Sequence, residues 1–222
     1  MKNKILIIAA HPDDEVLGAG GTLIKHAAQG DEAFCLILGE GAMSRTGASK
    51  TAVKKLRQQT IKAGRVVGFR KIYFSDLPDN SFDAVPLLKI VKIVERFLEK
   101  IKPDIVYTHH EDDLNIDHRL TFQAVLTACR PINQGCPKEI YTFETLSCSE
   151  WQTAGKKFRP NVYVDIGSVI DKKIAALKKY SSEIRKYPHP RSPEGIKILA
   201  QYRGLESSLH FAEGLCLVRK RE

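Results

Sequence analysis

The stretch KILIIAAHPDDEVLGAGGTL, residues 4–23, predicts the start of the fold and a candidate site together. Residues 5–10 form a continuous apolar run, which is typical of a strand buried on both faces of a sheet. Directly after it the chain carries one histidine and three acids: His11, Asp13, Asp14 and Glu15. A surface turn has no need of the histidine, and the acids repel one another. We therefore expect a positive charge beside them in the folded protein.

Strand-like runs and helical patterns alternate along the rest of the chain. Further strands are expected at AFCLILGE, KIYFSDL, DIVYTHH, EIYTFET, NVYVDI and GLCLVRK. Helical patterns lie between most of them, including a long one over residues 168–187. This alternation predicts an α/β fold in which helices cover both faces of a mostly parallel sheet. No linker-like stretch interrupts the alternation, so we expect one domain over residues 1–222.

A second polar cluster, THHEDDLNIDH at residues 108–118, follows the fourth predicted strand. Right-handed crossovers would place the first and fourth strands side by side, at the point where the strand order reverses. Ligands of such sheets bind outside the carboxyl ends of the strands at that point. The two polar clusters are therefore expected to meet in one crevice.

The composition limits the classes of function. Much of the net charge of +9 lies on amphipathic helices, and no nucleic-acid motif or interleaved aromatic residues accompany it, so a nucleic-acid partner is not expected. The positive net charge is also compatible with binding of a phosphorylated or otherwise anionic substrate. No stretch approaches the roughly 20 apolar residues of a membrane span, and the apolar N-terminus ends in acids instead of a cleavage site. The interpretation is a soluble cytoplasmic protein whose five cysteines are reduced structural thiols.

One carboxylate and two imidazoles in the crevice match an open catalytic zinc site with three protein ligands. The candidates are His11, Asp14 and His118, and Asp13 is well placed to take a proton from water as a general base. A turn histidine and an acidic helix N-cap are the plainer alternatives for the first cluster. Dinucleotide binding is not favoured, because the glycines of LGAGGT lie inside the helix instead of in the turn.

The motif AAHPDDEVLGAGGTL, together with the later DH at 117–118, resembles the PIG-L/LmbE family of zinc-dependent N-deacetylases. PDNSFD, HPRSPEG and AEGLCLVR also stand where such proteins carry similar stretches. The resemblance implies a Rossmann-like sheet, one Zn²⁺ ion and hydrolysis of the acetamide of a small amino-sugar substrate such as an N-acetylglucosamine conjugate. It implies the same three ligands and the same base.

The chain departs from the family at one position, because Asn115 stands where many members have the first histidine of HxDH. Asparagine can donate a hydrogen bond to an oxyanion but cannot deliver a proton at neutral pH. The proton for the departing amine is then expected from Asp13 or from another histidine, the candidates being His109, His110 and His189. Asp117 is expected to orient a neighbouring residue instead of binding zinc.

Three arginines, Arg45, Arg57 and Arg191, are candidate substrate anchors, and Arg191 beside His189 is the strongest of them. Two alternatives to the sugar deacetylase stay open. One is a zinc amidase acting on a non-sugar amide, and the other is a metal- or sugar-binding protein that has lost turnover. A homo-oligomer is also possible for a compact enzyme of this size.

Overall fold

The computed structural model describes residues 2–44, 49–132 and 135–222. The strands are β1 (Lys4–Ala9), β2 (Glu32–Gly39), β3 (Lys71–Leu77), β4 (Ile105–His109), β5 (Glu139–Phe143), β6 (Val162–Asp165) and β7 (Ala212–Lys220). The α-helices are α1 (Asp14–Ala28), α2 (Lys50–Val67), α3 (Leu87–Ile101), α4 (Ile116–Ala128), α5 (Ile170–Leu177) and α6 (Pro193–Leu205). Short 3₁₀ helices follow β3 and β5, at Phe82–Ala84 and Ser149–Trp151.

The strands form one seven-stranded sheet in the order β3-β2-β1-β4-β5-β7-β6. The first five strands are parallel, and β7 runs antiparallel to both β5 and β6. The predicted α/β class with a mostly parallel sheet is therefore confirmed. β1 pairs with β4, so the strand order reverses between them, as the crossover rule predicts.

β1 is an interior strand of the sheet, between β2 and β4, and is covered on both faces. Ile5 and Ile7 pack into a core with apolar residues of α1, α2 and α5, whereas Leu6 and Ile8 pack on the other face against α3 and α4. Burial on both faces explains why residues 5–9 are all apolar instead of alternating with polar residues. No helix of the described residues combines the length and the apolar character needed to cross a membrane.

The glycines of LGAGGT allow α1 to approach the sheet closely. A Cβ atom on Gly18 would lie 2.1 Å from the ring of Phe143, and one on Gly21 would lie 2.7 Å from Ile166. These contacts agree with the interpretation that the glycines serve helix packing. Inside the helix Ala19 departs from helical geometry, with φ −129° and ψ 20°.

A buried carboxylate of β7 accepts hydrogen bonds from the amides just after this break in α1. Glu213 Oε1 accepts from the Gly21 N–H at 2.6 Å, and its Oε2 accepts from the Thr22 N–H at 2.7 Å. Lys173 of α5 donates to Glu213 at 2.6 Å and to the Leu17 carbonyl oxygen at 2.9 Å. This network joins the helix that begins at the acidic turn to the antiparallel strand at the far end of the chain.

The prediction of one helix over residues 168–187 is wrong for its second half, because α5 ends at Leu177. Tyr180 is fully buried and its hydroxyl donates a hydrogen bond to the carboxylate of Glu15. The chain therefore turns inward after α5 to reach the acidic turn, which an amphipathic helical pattern does not reveal.

We expect Glu213→Ala to lower the free energy of unfolding by about 3–5 kcal/mol, because it leaves the buried Lys173 ammonium unpaired. Urea unfolding followed by circular dichroism measures the change. Glu99→Ala on the exposed face of α3 is the matched control, and we expect its effect to stay within about 0.5 kcal/mol. Equal stability of the two variants would show that the network contributes nothing measurable.

Candidate active site

Three side chains that can bind a metal meet at the carboxyl ends of β1 and β4. His11 and Asp14 follow β1, and His118 lies in the first turn of α4. One ligand atom from each lies within 4.8 Å of the others. Asp14 Oδ2 is 3.5 Å from His11 Nδ1 and 3.3 Å from His118 Nε2. The structure thus brings together the three residues that the sequence analysis proposes as ligands.

The turn that holds His11 and Asp14 is built by its own side chains. Asp13 adopts a left-handed backbone conformation with φ 99°, which is uncommon for a residue other than glycine. The N–H of His11 donates to Asp14 Oδ2 at 2.9 Å, and the N–H of Asp13 donates to Glu15 Oε2 at 3.0 Å. Because of this turn, Asp13 and Asp14 face different neighbours although they are adjacent in the chain.

A second carboxylate lies behind each histidine. Asp117 Oδ2 is 2.9 Å from His11 Nε2, and Asp113 Oδ1 is 3.1 Å from His118 Nδ1. Each of these carboxylates contacts the ring nitrogen that points away from Asp14. The other ring nitrogens, His11 Nδ1 and His118 Nε2, are therefore directed at Asp14. Carboxylates in this position commonly fix the tautomer and the orientation of metal-binding histidines.

The donor set suits a cation. Asp14 Oδ1 is buried and forms no hydrogen bond within the described part of the chain. Burial opposes ionisation of Asp14, but His118 and His11 outweigh it and hold the pKa of Asp14 well below its usual range. A buried ionised carboxylate with an unpartnered oxygen is costly unless a positive charge pairs with it. His11, Asp14 and His118 therefore fit a divalent metal ion with ligands of nitrogen and oxygen.

Asp13, the candidate base, is paired with an arginine from the distant HPRSPEG segment. Arg191 Nη1 donates to Asp13 Oδ2 at 3.0 Å, and Arg191 Nε donates to Ser147 Oγ at 2.7 Å. Burial raises the pKa of Asp13 to about 7, against the opposing effect of Arg191. A carboxyl group with a pKa near neutrality can both accept and return a proton. The candidate substrate anchor Arg191 thus contacts the candidate base directly.

The third acid of the turn, Glu15, faces away from the three candidate ligands. Its Oε1 accepts from the Tyr180 hydroxyl and its Oε2 from the Asp13 N–H. Burial raises the pKa of Glu15 to about 8. This carboxyl group supports the turn from inside the fold.

Asn115 caps the N-terminus of α4. Its Oδ1 accepts from the Asp117 N–H at 2.8 Å, and its Nδ2 donates to Asn80 Oδ1 at 3.0 Å. Asp117 in turn accepts from the N–H of Phe82 at 2.9 Å, so the PDNSFD loop is bonded to the start of α4. Asn115 therefore positions the backbone that carries Asp117 and His118.

The other histidines named from the sequence are not among the candidate ligands, although His109 Nε2 lies 3.5 Å from Asp14 Oδ2. His109 stacks on His118 with 3.9 Å between ring centroids, and its Nε2 accepts from the Ala10 N–H at 2.9 Å. His110 Nε2 donates to the Lys156 carbonyl oxygen at 3.0 Å. His189 Nδ1 accepts from the Arg191 N–H at 3.1 Å, which places its ring beside the arginine that holds Asp13.

Among the remaining candidate anchors, Arg57 forms an ion pair with Asp76 of β3 and donates to the Ser75 carbonyl oxygen at 3.3 Å. A role of Arg57 in substrate binding stays a prediction. Arg45 lies outside the described residues.

Sequence reasoning does not single out Asp113, which supports His118. Its position in an acid-rich loop, directly after a parallel strand of the crevice, is the signal that could have identified it. Ser149 Oγ also donates to Asp113 Oδ2, at 2.6 Å, from the 3₁₀ helix after β5. That contact depends on the fold and leaves no signature in the sequence.

Known proteins share this architecture over most of their length. Diacetylchitobiose deacetylase of Thermococcus kodakarensis is 27% identical over 230 residues, covering 97% of this chain and 83% of that protein. 4-Oxalmesaconate hydratase of Pseudomonas putida is 30% identical over 195 residues, covering 78% of this chain and 71% of that protein. The crystal structure of the P. putida 4-carboxy-2-hydroxymuconate hydratase GalB superposes with a TM-score of 0.80 at 24% identity, covering 100% of this chain and 98% of that one.

The structural likeness at this identity establishes the shared fold alone. The family assignment rests on the sequence: the model of the PIG-L family, described as GlcNAc-PI de-N-acetylase, matches residues 6–129, and this range includes both polar clusters. The match extends over more than half of the 222 residues. The chain therefore belongs to the PIG-L family.

Proposed function

We propose that the protein is a metal-dependent hydrolase that removes the acetyl group from an N-acetylated amino sugar. The observation that carries the proposal is the buried set of His11, Asp14 and His118, with a separate carboxyl group, Asp13, held beside it. The T. kodakarensis relative bears the name of a sugar deacetylase, and the family description names the same reaction. The cytoplasmic location and the homo-oligomer expected from the sequence stay predictions.

We propose Zn²⁺ as the metal, held by His11 Nδ1, a carboxylate oxygen of Asp14 and His118 Nε2. Two imidazoles and one carboxylate form a ligand set used in catalytic zinc sites. The chemistry that such an ion supplies is to lower the pKa of water to about 7 and to polarise a carbonyl oxygen. Asp117 and Asp113 hold the two histidines so that these ligand atoms stay directed at Asp14.

Asp13 accepts a proton from the water that attacks the acetamide carbonyl carbon. The carbon–nitrogen bond then breaks, the new carbon–oxygen bond remains in acetate, and the nitrogen leaves as the amine of the sugar. Asp13 returns its proton to that nitrogen, so protons and bonds balance without another acid. Its pKa of about 7 suits both steps.

This assignment agrees with the surroundings of Asn115. An asparagine cannot supply the proton. Both ring nitrogens of His109 and the Nε2 of His110 already form hydrogen bonds with the fold. The Asn115 amide carries two N–H groups, one of which bonds to Asn80. In our proposal Asn115 orients α4 and contributes at most one donor to the oxyanion.

The 30% identity with a protein named 4-oxalmesaconate hydratase favours a second candidate, the addition of water to a carbon–carbon double bond. Both reactions use an activated water and one acid–base group. Acetate release from free and conjugated N-acetylglucosamine, measured beside hydration of 4-oxalmesaconate with the same zinc-loaded protein, separates the two. Zinc-dependent hydration without acetate release would replace the deacetylase proposal, and release from a non-sugar amide alone would identify an amidase.

We expect the metal-free protein to bind one equivalent of Zn²⁺, because the two possible ligand sets at the crevice, His11–Asp14–His118 and Asp113–His118–Cys148, share His118. Asp14→Asn and His118→Ala should each weaken Zn²⁺ binding at least about tenfold, since the first removes the negative charge of a ligand and the second removes an imidazole. Competition with a coloured chelator measures the affinity. His210→Ala, at an exposed histidine, is the control and should bind like the parent. Unchanged affinity in both ligand variants would place the metal elsewhere.

Asp13→Asn should lower kcat about 100-fold to 10,000-fold, because the amide cannot accept the proton of water. Zn²⁺ stoichiometry should stay at one, since Asp13 is not a proposed ligand. Acetate release under saturating substrate measures the effect, with Asp171→Asn on the exposed face of α5 as the matched control. Activity equal to that of the control would remove Asp13 from the mechanism.

Arg191→Gln should shift the acidic limb of the kcat profile to higher pH. Burial raises the pKa of Asp13 to about 7 although Arg191 lowers it, so loss of the guanidinium raises that pKa further. The base is then protonated at neutral pH, and activity returns as the pH rises. Arg65→Gln on α2 is the control. A loss of kcat that is equal at every pH would show that Arg191 acts on the fold or the substrate instead of on Asp13.

A further inference from the structure

A cavity of about 720 Å³ opens beside the proposed metal site, and no step of the proposed reaction uses it. It is lined by residues of α4, of the neighbouring strands β5 and β7, and of the segment 155–159. The lining includes Phe122, Thr142 and Leu217, and it also includes the cationic residues Lys156, Lys157 and Arg159. The volume lies within the range of about 300–1,000 Å³ that is usual for small-molecule sites.

The charge of this cavity is positive. Its lining contains the three cations Lys156, Lys157 and Arg159 and a single acid, Glu111. Glu111 is partnered by Lys156 at 3.1 Å, whereas Lys157 and Arg159 form no ion pair within residues 2–44, 49–132 and 135–222. Two uncompensated cations in a concave, partly apolar site attract an anion more strongly than they would on an open surface.

The cavity shares a wall with the proposed active site. The Lys156 N–H donates to Asp112 Oδ2 at 2.9 Å, and His110 donates to the Lys156 carbonyl oxygen at 3.0 Å. The next residue, Asp113, lies 3.1 Å from His118 Nδ1. The loop 110–113 therefore contacts the cavity on one side and supports a proposed metal ligand on the other.

We propose that this cavity is a binding site for an organic anion, with a phosphate or carboxylate group on Lys157 and Arg159 and the body of the ligand against Phe122 and Leu217. Two sources have this chemistry: the anionic remainder of the acetylated sugar substrate, and a separate small anion. The assignment of the anion to the substrate rests on the proposed function. The proposal that the cavity binds an anion does not.

Uridine 5′-monophosphate is the probe, because it combines a phosphate with an uncharged organic body. Titration calorimetry should show one site for it, weaker binding of inorganic phosphate and none of uridine. Lys157→Glu and Arg159→Glu should each weaken binding at least about tenfold, because each reverses a charge that contacts the phosphate. Lys172→Glu, an equal charge change on the exposed face of α5, is the control and should bind like the parent.

Asp14→Asn separates the cavity from the proposed metal site. If the phosphate bound at the metal, this variant would lose the probe. Binding that persists in Asp14→Asn and falls in Lys157→Glu supports the proposal. Absence of binding, equal binding in all variants, or occlusion of the cavity by a second copy of the chain at the concentrations used would overturn it.

Inhibition of acetate release identifies the source of the anion. Competitive inhibition by the nucleotide, with a raised KM and unchanged kcat in Lys157→Glu, indicates the anionic part of the substrate. Inhibition or activation that changes kcat alone indicates a separate anion acting through the loop 110–113. If no substrate releases acetate, the calorimetric result still decides whether the cavity binds anions, so the two proposals fail independently.

Discussion

The buried carboxylate of Asp14 is the constraint on which the crevice depends. It lies just after the carboxyl end of β1 with both oxygens out of solvent, and Oδ1 has no hydrogen-bond partner in the described part of the chain. Desolvation of such a charge is offset only by nearby positive charge. The two imidazoles directed at it are arranged by further acids behind them, so negative charge is concentrated where a single cation could neutralise it.

The three acids of HPDDE have different environments although they are consecutive. Asp14 faces the histidines, which hold its pKa low against the effect of burial. Asp13 faces Arg191, and burial still raises its pKa to about 7, whereas Glu15 faces Tyr180 inside the fold and its pKa rises to about 8. The left-handed backbone at Asp13 produces this separation, because it turns adjacent side chains toward different parts of the protein. Strain of this kind persists where the surrounding contacts require it.

The features that the sequence predicted are those encoded by local patterns and by general rules of parallel sheets. The apolar run of β1, the helices after it and the meeting of β1 with β4 follow from periodicity and crossover handedness. The pairing of Arg191 with Asp13 joins positions far apart in the chain and has no local signature. The end of α5 at Leu177 also cannot be predicted from the sequence, because the helical pattern continues beyond it. The helix ends where the chain turns inward so that Tyr180 reaches Glu15.

Family membership does not by itself decide the reaction, since relatives named as a deacetylase and as a hydratase match this chain at similar identity. Amide hydrolysis needs a proton delivered to nitrogen, and hydration of a double bond needs one delivered to carbon, so the difference lies in where the substrate places its accepting atom. That placement depends on the walls around the crevice. In this chain the walls are the loop 110–115 and the segment 145–159, which are bonded to each other through Ser149 and Lys156. The same segments carry the positive cavity, so the choice of substrate and the binding of an anion have a common structural basis.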